Sequence, residues 1–227
     1  MMTLLDAFTE QRALNNNYKD IAAWKLGGTN LASSKHFNPE HLFYGPLKSP
    51  QIFSYLDKLI DTTAHLAELE ITFRLNEQIE TNFFIDYPIT SACNFISSVM
   101  PSVELPYSKH DLSSITLPDL IRDNCAAGAL IIGKEIEWND SLISNFSGCI
   151  ELLDHKKPVT EGLYNNLLKS PFNLLTDFLE LAKKHNLPLR EGQLVATGGI
   201  SPCVEINAKK KYQVNFNHLG TFSFTLI

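Results

Sequence analysis

Two glutamates, Glu68 and Glu70, flank Leu69 in a segment where apolar and polar residues alternate. Alternation with a period of two predicts a β-strand, so both carboxylates leave the same face and can approach one point. Carboxylates that share a face repel each other unless a positive charge lies between them, and a divalent metal ion with oxygen ligands meets that need. From spacing alone, ordinary glutamates on a solvated strand face are the more common explanation.

A third carboxylate and a lysine extend this hypothesis. Glu104 lies in the separate extended segment Pro-Ser-Val-Glu-Leu and could supply another oxygen ligand. Lys25 lies in an apolar segment just before Gly27 and Gly28, where a ligand could approach the backbone closely. A lysine held there could bind a carboxylate or stabilise an enolate oxygen. An outward-facing lysine on an edge strand explains the same pattern equally well.

A second glycine pair, Gly198-Gly199, follows a predicted strand and could form a turn whose backbone N–H groups face a carboxylate. A plain hairpin turn is the more common use of such a pair. Neither glycine pair extends into a GxGxxG or Walker motif, and the sequence has no HExxH or GxSxG motif. Nucleotide binding is therefore unsupported, and zinc or nucleophile-based hydrolysis is disfavoured.

Size and composition limit the classes of protein. The 227 residues, of which 44% are hydrophobic, predict one domain over 1–227: a helix, strand and loop over 1–50, then a β core over 51–227. A formal net charge of −6 argues against a nucleic-acid partner, since the only basic run is the lysine triplet 209–211. The longest apolar stretch, 126–133, is too short to span a membrane. Four scattered cysteines predict reduced thiols in a cytoplasmic protein.

Hydrophobic periodicity predicts an α+β fold, rich in strands, with a few peripheral helices. The predicted helices cover 4–17, 88–99, 117–127 and 171–185. The predicted strands cover 22–26, 65–75, 103–105, 129–133, 149–153, 193–197, 204–206, 212–216 and 221–227. Pro and Gly residues predict a loop over 33–50 and a turn over 156–158.

Several motifs, taken in order, resemble the 2-keto-4-pentenoate hydratase and 4-oxalocrotonate decarboxylase group of the fumarylacetoacetate hydrolase superfamily. The segment from Lys25 to Thr29 is similar to the group's KxGxT strand, and that from Glu68 to Leu75 to its ExEIxFxL strand. Pro101-Ser102-Val103-Glu104 resembles its PAxE segment, and the segment beginning at Asp123 resembles its DNxSxG helix end. The segments 158–162, 189–195, 197–199 and 218–220 follow the C-terminal half of the pattern, so the resemblance covers nearly the whole chain.

The resemblance implies a rolled central sheet, like that of the fumarylacetoacetate hydrolase C-terminal domain, and a homo-oligomer. It implies Mg²⁺ or Mn²⁺ held by Glu68, Glu70 and Glu104, and a small 2-oxo or 2-hydroxy acid bound through its carboxylate and 2-oxygen. The residues expected to bind this substrate are Lys25, Gly27, Gly198 and Gly199. Those expected to act in catalysis are Lys25, Ser108 and Asp123.

The activity implied is hydration of a 2-hydroxy-2,4-dienoate, through its 2-oxo-3-enoate form, to a 4-hydroxy-2-oxo acid, a reaction of aromatic catabolism. Decarboxylation of the 4-oxalocrotonate type and a degenerate, non-catalytic binding protein are the alternatives. Two features depart from the group's pattern: Tyr107-Ser108-Lys109 replaces an acidic residue followed by Ser and Arg, and Lys169 replaces a small residue. The N-terminal part is also shorter than usual, so the lid over the substrate is expected to differ.

Overall fold

The computed structural model describes residues 2–39, 41–57, 59–81, 92–139, 146–153 and 157–227. Its α-helices are α1 Leu4–Leu14, α2 Leu31–Phe37, α3 Gln78–Thr81, α4 Leu117–Arg122 and α5 Pro171–Lys184. The strands of the first half are β1 Ile21–Gly27, β2 Phe43–Lys48, β3 Ile52–Ser54, β4 Leu59–Ile60, β5 Leu66–Leu75 and β6 Ile96–Leu105. Those of the second half are β7 Ala129–Ile132, β8 Ile136–Glu137, β9 Ser147–Leu152, β10 Lys157–Leu163, β11 Leu194–Ala196, β12 Val204–Glu205, β13 Lys211–Phe216 and β14 Gly220–Leu226.

The strands form a nine-stranded and a five-stranded sheet. The larger has the order β2-β1-β11-β5-β6-β7-β3, with β12 added to β5 and β8 added to β6. The smaller has the order β10-β9-β13-β14-β4. Because β11 lies between β1 and β5, strands from the two ends of the chain meet in the middle of the larger sheet. The predicted strand-rich α+β fold with peripheral helices is confirmed.

Local sequence explains the helices that flank the sheets. Helix α5 starts at its cap Ser170, whose side chain accepts a hydrogen bond from the backbone N–H of Asn173, and it ends in two lysines that suit the helix dipole. Its apolar face, which includes Phe178, is buried in the main core. Helix α1 is capped by Thr3, and its buried Gln11 donates to the carbonyl oxygens of Tyr44 and Ile121. No helix in the described part of the chain is long and apolar enough to cross a membrane.

The loop predicted over 33–50 is wrong, because this segment contains most of α2 and all of β2. The side chain of Asn30 caps α2 by accepting from the N–H of Ser33, and Asn38 ends it in the left-handed conformation. Strand β2 then pairs antiparallel with β1. Its Pro and Gly residues resemble loop punctuation, but strand pairing overrides that local preference.

The helix predicted over 88–99 and the turn over 156–158 also need correction. Residues 88–91 and 156 lie outside the described residues. A short 3₁₀ helix covers Ala92–Phe95, while 96–99 belong to β6, where Val99 pairs with Phe73 of β5. Lys157 and Pro158 open β10 and pair with β9. In both segments, pairing with a distant strand decides the conformation.

Candidate metal centre and substrate pocket

The three glutamates singled out in the sequence converge on one point. Strands β5 and β6 are antiparallel neighbours, and their register sets Glu68 directly opposite Glu104 and Glu70 opposite Ser102. One carboxylate oxygen from each glutamate lies within 4.8 Å of the other two. Glu70 and Glu104 are fully buried. The geometry therefore differs from that of a solvated strand face.

Lys25 reaches this cluster from β1. That strand is paired on both sides, with β2 and with β11, so it is not an edge strand. The ammonium Nζ lies 3.0 Å from Glu104 Oε1, as an ion pair without the alignment of a hydrogen bond, and Lys25 is only 7% exposed. Burial by itself lowers the pKa of Lys25, but attraction by Glu104 and Glu68 outweighs it and raises the pKa above its usual value. The lysine therefore stays protonated.

The carboxylates carry more negative charge than one lysine can balance. Burial, followed by repulsion from Glu104, raises the pKa of Glu68 to about 8, and the same causes raise the pKa of Glu70 well above its ordinary value. Neither Oε1 of Glu70 nor Oε2 of Glu104 accepts a hydrogen bond from a described donor. Buried carboxylate oxygens without partners are costly, and a hard divalent cation would satisfy them. The donor set thus fits Mg²⁺ or Mn²⁺.

The Gly198-Gly199 turn closes the cluster from β11. The backbone N–H of Gly198, at a φ of +103°, donates to Glu70 Oε2 over 3.0 Å. A Cβ atom at Gly199 would lie 2.0 Å from Glu68 Oε2, so only glycine lets that carboxylate pack so closely. Gly198 and Gly199 were expected to bind the substrate; in the structure, the Gly198 N–H donates to the carboxylate of Glu70, and Gly199 adjoins that of Glu68.

A pocket of about 400 Å³ adjoins the cluster. Lys25, Gly27, Glu68 and Gly199 line it, together with Thr29, whose buried Oγ1 has no hydrogen-bond partner among the described residues. The remaining lining residues are Leu26, Asn30, Leu31, Ala32, Ser33, Phe37, Phe43, Pro106, Leu112, Leu120, Cys125, Ala126, Asn166, Ser201, Pro202 and Cys203. A larger cavity, of about 700 Å³, lies beside α5, and none of the three glutamates lines it.

Comparison with curated proteins shows relatives along most of the chain, although no family model matches it. It is 24% identical over 213 residues to the TodF product hydratase of Pseudomonas putida, covering 93% of this chain and 78% of the relative. It is 22% identical over 203 residues to a 2-keto-4-pentenoate hydratase of Paraburkholderia xenovorans (88% and 74% covered). It is 25% identical over 206 residues to a 4-oxalocrotonate decarboxylase of a Pseudomonas species (88% and 77% covered). Along most of its length, the chain is therefore similar to hydratases and a decarboxylase of the 2-keto-4-pentenoate hydratase and 4-oxalocrotonate decarboxylase group.

Solved structures of other enzymes have the same fold as this chain. The 4-oxalocrotonate decarboxylase of Pseudomonas putida, complexed with magnesium and adipate, superposes with a TM-score of 0.85 at 20% identity, covering 100% of this chain and 87% of that one. Fumarylpyruvate hydrolase of Pseudomonas aeruginosa, in complex with Mn²⁺ and pyruvate, gives a TM-score of 0.67 at 12% identity, covering 90% and 88%. The chain therefore has the fold of these two enzymes.

Two residues that the resemblance assigned to catalysis lie apart from the pocket lining. Ser108 follows the end of β6 in a partly exposed turn, where its Oγ accepts from the N–H of His110. Asp123 caps the C-terminus of α4, and its buried Oδ2 has no hydrogen-bond partner among the described residues. Neither side chain lines the pocket next to the glutamates.

Other residues that line the pocket were not predicted from the sequence as site residues. Thr29 had a signal, since it ends the KxGxT segment and lies next to the glycine pair. Asn166 and Cys203 had none, because turns that only the tertiary fold brings together carry them to the pocket. The apolar lining residues Phe37 and Phe43 lay in the segment predicted to be a loop.

Proposed function

We propose that this protein is a metal-dependent hydratase, a carbon–oxygen lyase that adds water to a 2-hydroxy-2,4-dienoate or its 2-oxo-3-enoate form. The product is a 4-hydroxy-2-oxo acid. The observation that carries the proposal is the convergence of Glu68, Glu70 and Glu104 with the protonated Lys25 beside a pocket. Hydratases among the relatives support the same reaction.

Glu68, Glu70 and Glu104 would hold Mg²⁺ or Mn²⁺. The solved structures of similar fold that are complexed with magnesium and with Mn²⁺ support that choice of ion. When bound, the ion supplies a Lewis acid that withdraws charge from the carboxylate and 2-oxygen of the substrate. Three carboxylates do not fill the coordination shell of such an ion, so a chelating substrate has room.

The surrounding residues then have distinct roles. Lys25 holds its proton and donates to the 2-oxygen, stabilising the negative charge that develops when the dienol becomes a ketone. The backbone at Gly27 and Gly199 lets the substrate lie close to the strands, and Gly198 holds Glu70 in place. Asp123 and Ser108 keep, as part of this proposal, the catalytic role that the resemblance implies: the buried Oδ2 of Asp123 has no hydrogen-bond partner among the described residues, and Ser108 follows the third metal ligand in the chain.

Decarboxylation of a 2-oxo acid is the second candidate. The TM-score of 0.85 with a 4-oxalocrotonate decarboxylase favours it, and the same stabilised enolate would serve that reaction. A non-catalytic binding protein is disfavoured, because a buried cluster of three carboxylates lowers stability without a use. We also propose that residues 1–227 form one catalytic domain and that the protein is cytoplasmic. From the resemblance we further propose that it is a homo-oligomer, which light scattering tests.

The experiment is a spectrophotometric assay of 2-hydroxypenta-2,4-dienoate consumption with Mg²⁺ or Mn²⁺. Wild type is compared with Glu70→Gln and with Glu77→Gln, which changes an exposed glutamate in the same way. We expect metal-dependent turnover to 4-hydroxy-2-oxopentanoate in wild type and Glu77→Gln, and its loss in Glu70→Gln. Metal binding without hydration, with release of carbon dioxide from 4-oxalocrotonate, would favour the decarboxylase. The absence of metal binding would favour the non-catalytic protein.

A further inference from the structure

The turn that closes the metal centre is bonded to β5 on one side. Residues 197–201 follow β11 and run beside the strand that carries two of the three glutamates. The backbone N–H of Ile200 donates to the carbonyl oxygen of Leu69 over 2.7 Å, and Ser201 Oγ accepts from the N–H of Leu69 over 2.9 Å. Leu69 lies between the two glutamates in the sequence, so the turn is anchored directly beside both of them.

Two asparagines hold the other side of this turn. Asn30 Nδ2 donates to the carbonyl oxygen of Gly199 over 3.0 Å, and Asn166 Nδ2 donates to that of Ile200 over 2.7 Å. Asn30 precedes α2, whereas Asn166 ends the short 3₁₀ helix Tyr164–Asn166. Both asparagines line the pocket beside the glutamates. Successive carbonyl groups of one turn are thus held by side chains from two distant parts of the chain.

The carbonyl groups that these amides bind belong to buried residues. Gly199 and Ile200 are both buried, and a buried carbonyl oxygen that loses its partner destabilises the fold around it. The carbonyl oxygen of Ile200 also accepts from the backbone N–H of Leu163 over 3.0 Å. For the carbonyl oxygen of Gly199, the donor among the described residues is Asn30. The turn therefore depends more on Asn30 than on Asn166.

The orientation of the turn decides where two of the carboxylates lie. The N–H of Gly198 donates to Glu70, and Gly199 packs against Glu68 so closely that no Cβ atom would fit between them. Glycines have no side chain to restrict their backbone, so the peptide groups of this pair can rotate unless they are held. An amide on each of the two following carbonyl oxygens removes that freedom. The asparagines thus act on the carboxylates through the turn.

We propose that Asn30 and Asn166 are positioning residues of the metal centre, which hold the glycine turn so that Glu68 and Glu70 point at the ion. Asn30 uses both ends of its amide, because its Oδ1 also accepts from the N–H of Ser33 over 2.8 Å and so caps α2. The inference rests on the part of the proposed function that gives the three glutamates a divalent ion. It adds two residues that none of the sequence motifs contains.

Replacement by serine tests each asparagine without adding a charge. At position 30, serine can still cap α2, but its Oγ is too short to reach the carbonyl oxygen of Gly199. Asn166→Ser removes the bond to the next carbonyl oxygen, which keeps the bond from Leu163. By calorimetry, we expect the Mn²⁺ affinity to fall about tenfold in Asn30→Ser and about threefold in Asn166→Ser, because misoriented ligands bind a metal less tightly.

The matched control is Asn76→Ser. Asn76 Nδ2 donates to the carbonyl oxygens of Asn94 and Ile96, and its Oδ1 accepts from the N–H of Gln78, so it makes the same kinds of bond outside the pocket. We expect the melting temperature of the metal-free protein to fall slightly in all three variants, and the Mn²⁺ affinity to fall only in the two at the glycine turn. Unchanged Mn²⁺ affinity in those two, or an equal loss in the control, would overturn the inference.

The dependence of turnover on Mn²⁺ concentration separates positioning from direct contact with the substrate. If the asparagines act through the metal ligands, saturating Mn²⁺ should restore kcat and KM for the dienol in both variants. A KM that stays raised at saturating Mn²⁺ would mean that the amides bind the substrate, and it would overturn the positioning role.

The same measurements distinguish this inference from the proposed function. Weaker Mn²⁺ binding in the two variants, without hydration of any dienol by wild type, retains the positioning role and removes the hydratase. Hydration by wild type with equal Mn²⁺ affinity in all variants retains the hydratase and removes the positioning role. Failure of wild type to bind Mn²⁺ overturns both.

Discussion

In the five-stranded sheet, β13 alternates cleanly between buried apolar residues such as Tyr212 and Val214 and partly exposed polar ones such as Gln213. In the nine-stranded sheet, β5 has the same alternation in its sequence, yet the fully buried side chains include Glu70 as well as Leu69. The first pattern is explained by packing alone. The pattern in β5 buries a carboxylate, which packing alone does not favour. The difference between the two sheets therefore separates residues needed for stability from residues needed for chemistry.

Neutralising a glutamate of the larger sheet gives the sharpest form of this comparison. Glu104→Gln removes one oxygen ligand and the partner of Lys25, so we expect kcat/KM to fall more than about a hundredfold, above the usual effect of losing a group that only orients a ligand. In the metal-free protein, the same change relieves repulsion with Glu68 but also removes the ion pair with Lys25, so we expect the two effects to offset each other and the melting temperature to change little. Assays and thermal melts of one preparation measure both. A large fall in the melting temperature together with the loss of activity would contradict the distinction between residues needed for stability and residues needed for chemistry.

The glycine turn allows a smaller change at the same centre. Gly199→Ala would bring a Cβ atom within 2.0 Å of Glu68 Oε2 and force that carboxylate to move. We expect Mn²⁺ affinity to fall by about tenfold, as for other changes that misorient a metal ligand. Gly192→Ala is the control: its Cβ meets no atom within 4 Å, but its φ of +79° costs stability. Calorimetric titration should show weakened Mn²⁺ binding in Gly199→Ala alone.

The dependence of the melting temperature on pH is a further property of the larger sheet, because its buried glutamates titrate. Because burial and Glu104 raise the pKa of Glu68 to about 8, the folded metal-free protein binds a proton that the unfolded chain has released. The stability that this proton contributes is therefore fully present below the ordinary glutamate pKa of 4.5 and is lost as the pH rises through about 8. We expect the melting temperature to decline across this range in wild type, and to decline less in Glu68→Gln or with saturating Mn²⁺. A decline of equal slope in all three would show that other groups cause it.

The five-stranded sheet gives the smallest expected effect. Ile150→Val removes one methylene group from a fully buried position, which costs about 0.5–1.5 kcal/mol of unfolding free energy. A chain of this length should then melt roughly 1–6 °C lower. Since Ile150 does not line the pocket, kcat and KM should stay unchanged. A raised KM would mean that the smaller sheet also shapes the site.

What the sequence could predict follows from the range of the forces involved. Alternation in β5 and the amphipathic pattern of α5 are local, so both elements were predicted within a few residues. The segments containing β2 and the start of β6 depend on pairing with distant strands and were therefore assigned wrongly. Local patterns do not report which strand will be the neighbour.

The candidate site divides in the same way. The shared strand face of Glu68 and Glu70 follows from strand periodicity. Glu104 and Lys25 were candidates from their own segments, but only the resemblance in motif order favoured placing them at the same site. The catalytic role of Ser108 stays a prediction from the resemblance, and the structure places this residue in a partly exposed segment outside the pocket lining. The apolar pocket residues Phe37 and Leu112 were not predicted, because only tertiary packing brings them together.

The position of β11 between β1 and β5 has a consequence for how the molecule folds. The side chain of Trp24 donates to that of Gln193, 169 positions away, and the bond from Gly198 to Glu70 spans 128 positions. Contacts of such high contact order form slowly, because a long chain segment must close before they gain any energy. During synthesis, the carboxylates of β5 and β6 therefore reach their final arrangement only after the last part of the chain has been made. We expect a chain that ends before Leu194 to bind no Mn²⁺. Mn²⁺ binding would then report completed folding. Mn²⁺ binding by the shortened chain would disprove this expectation.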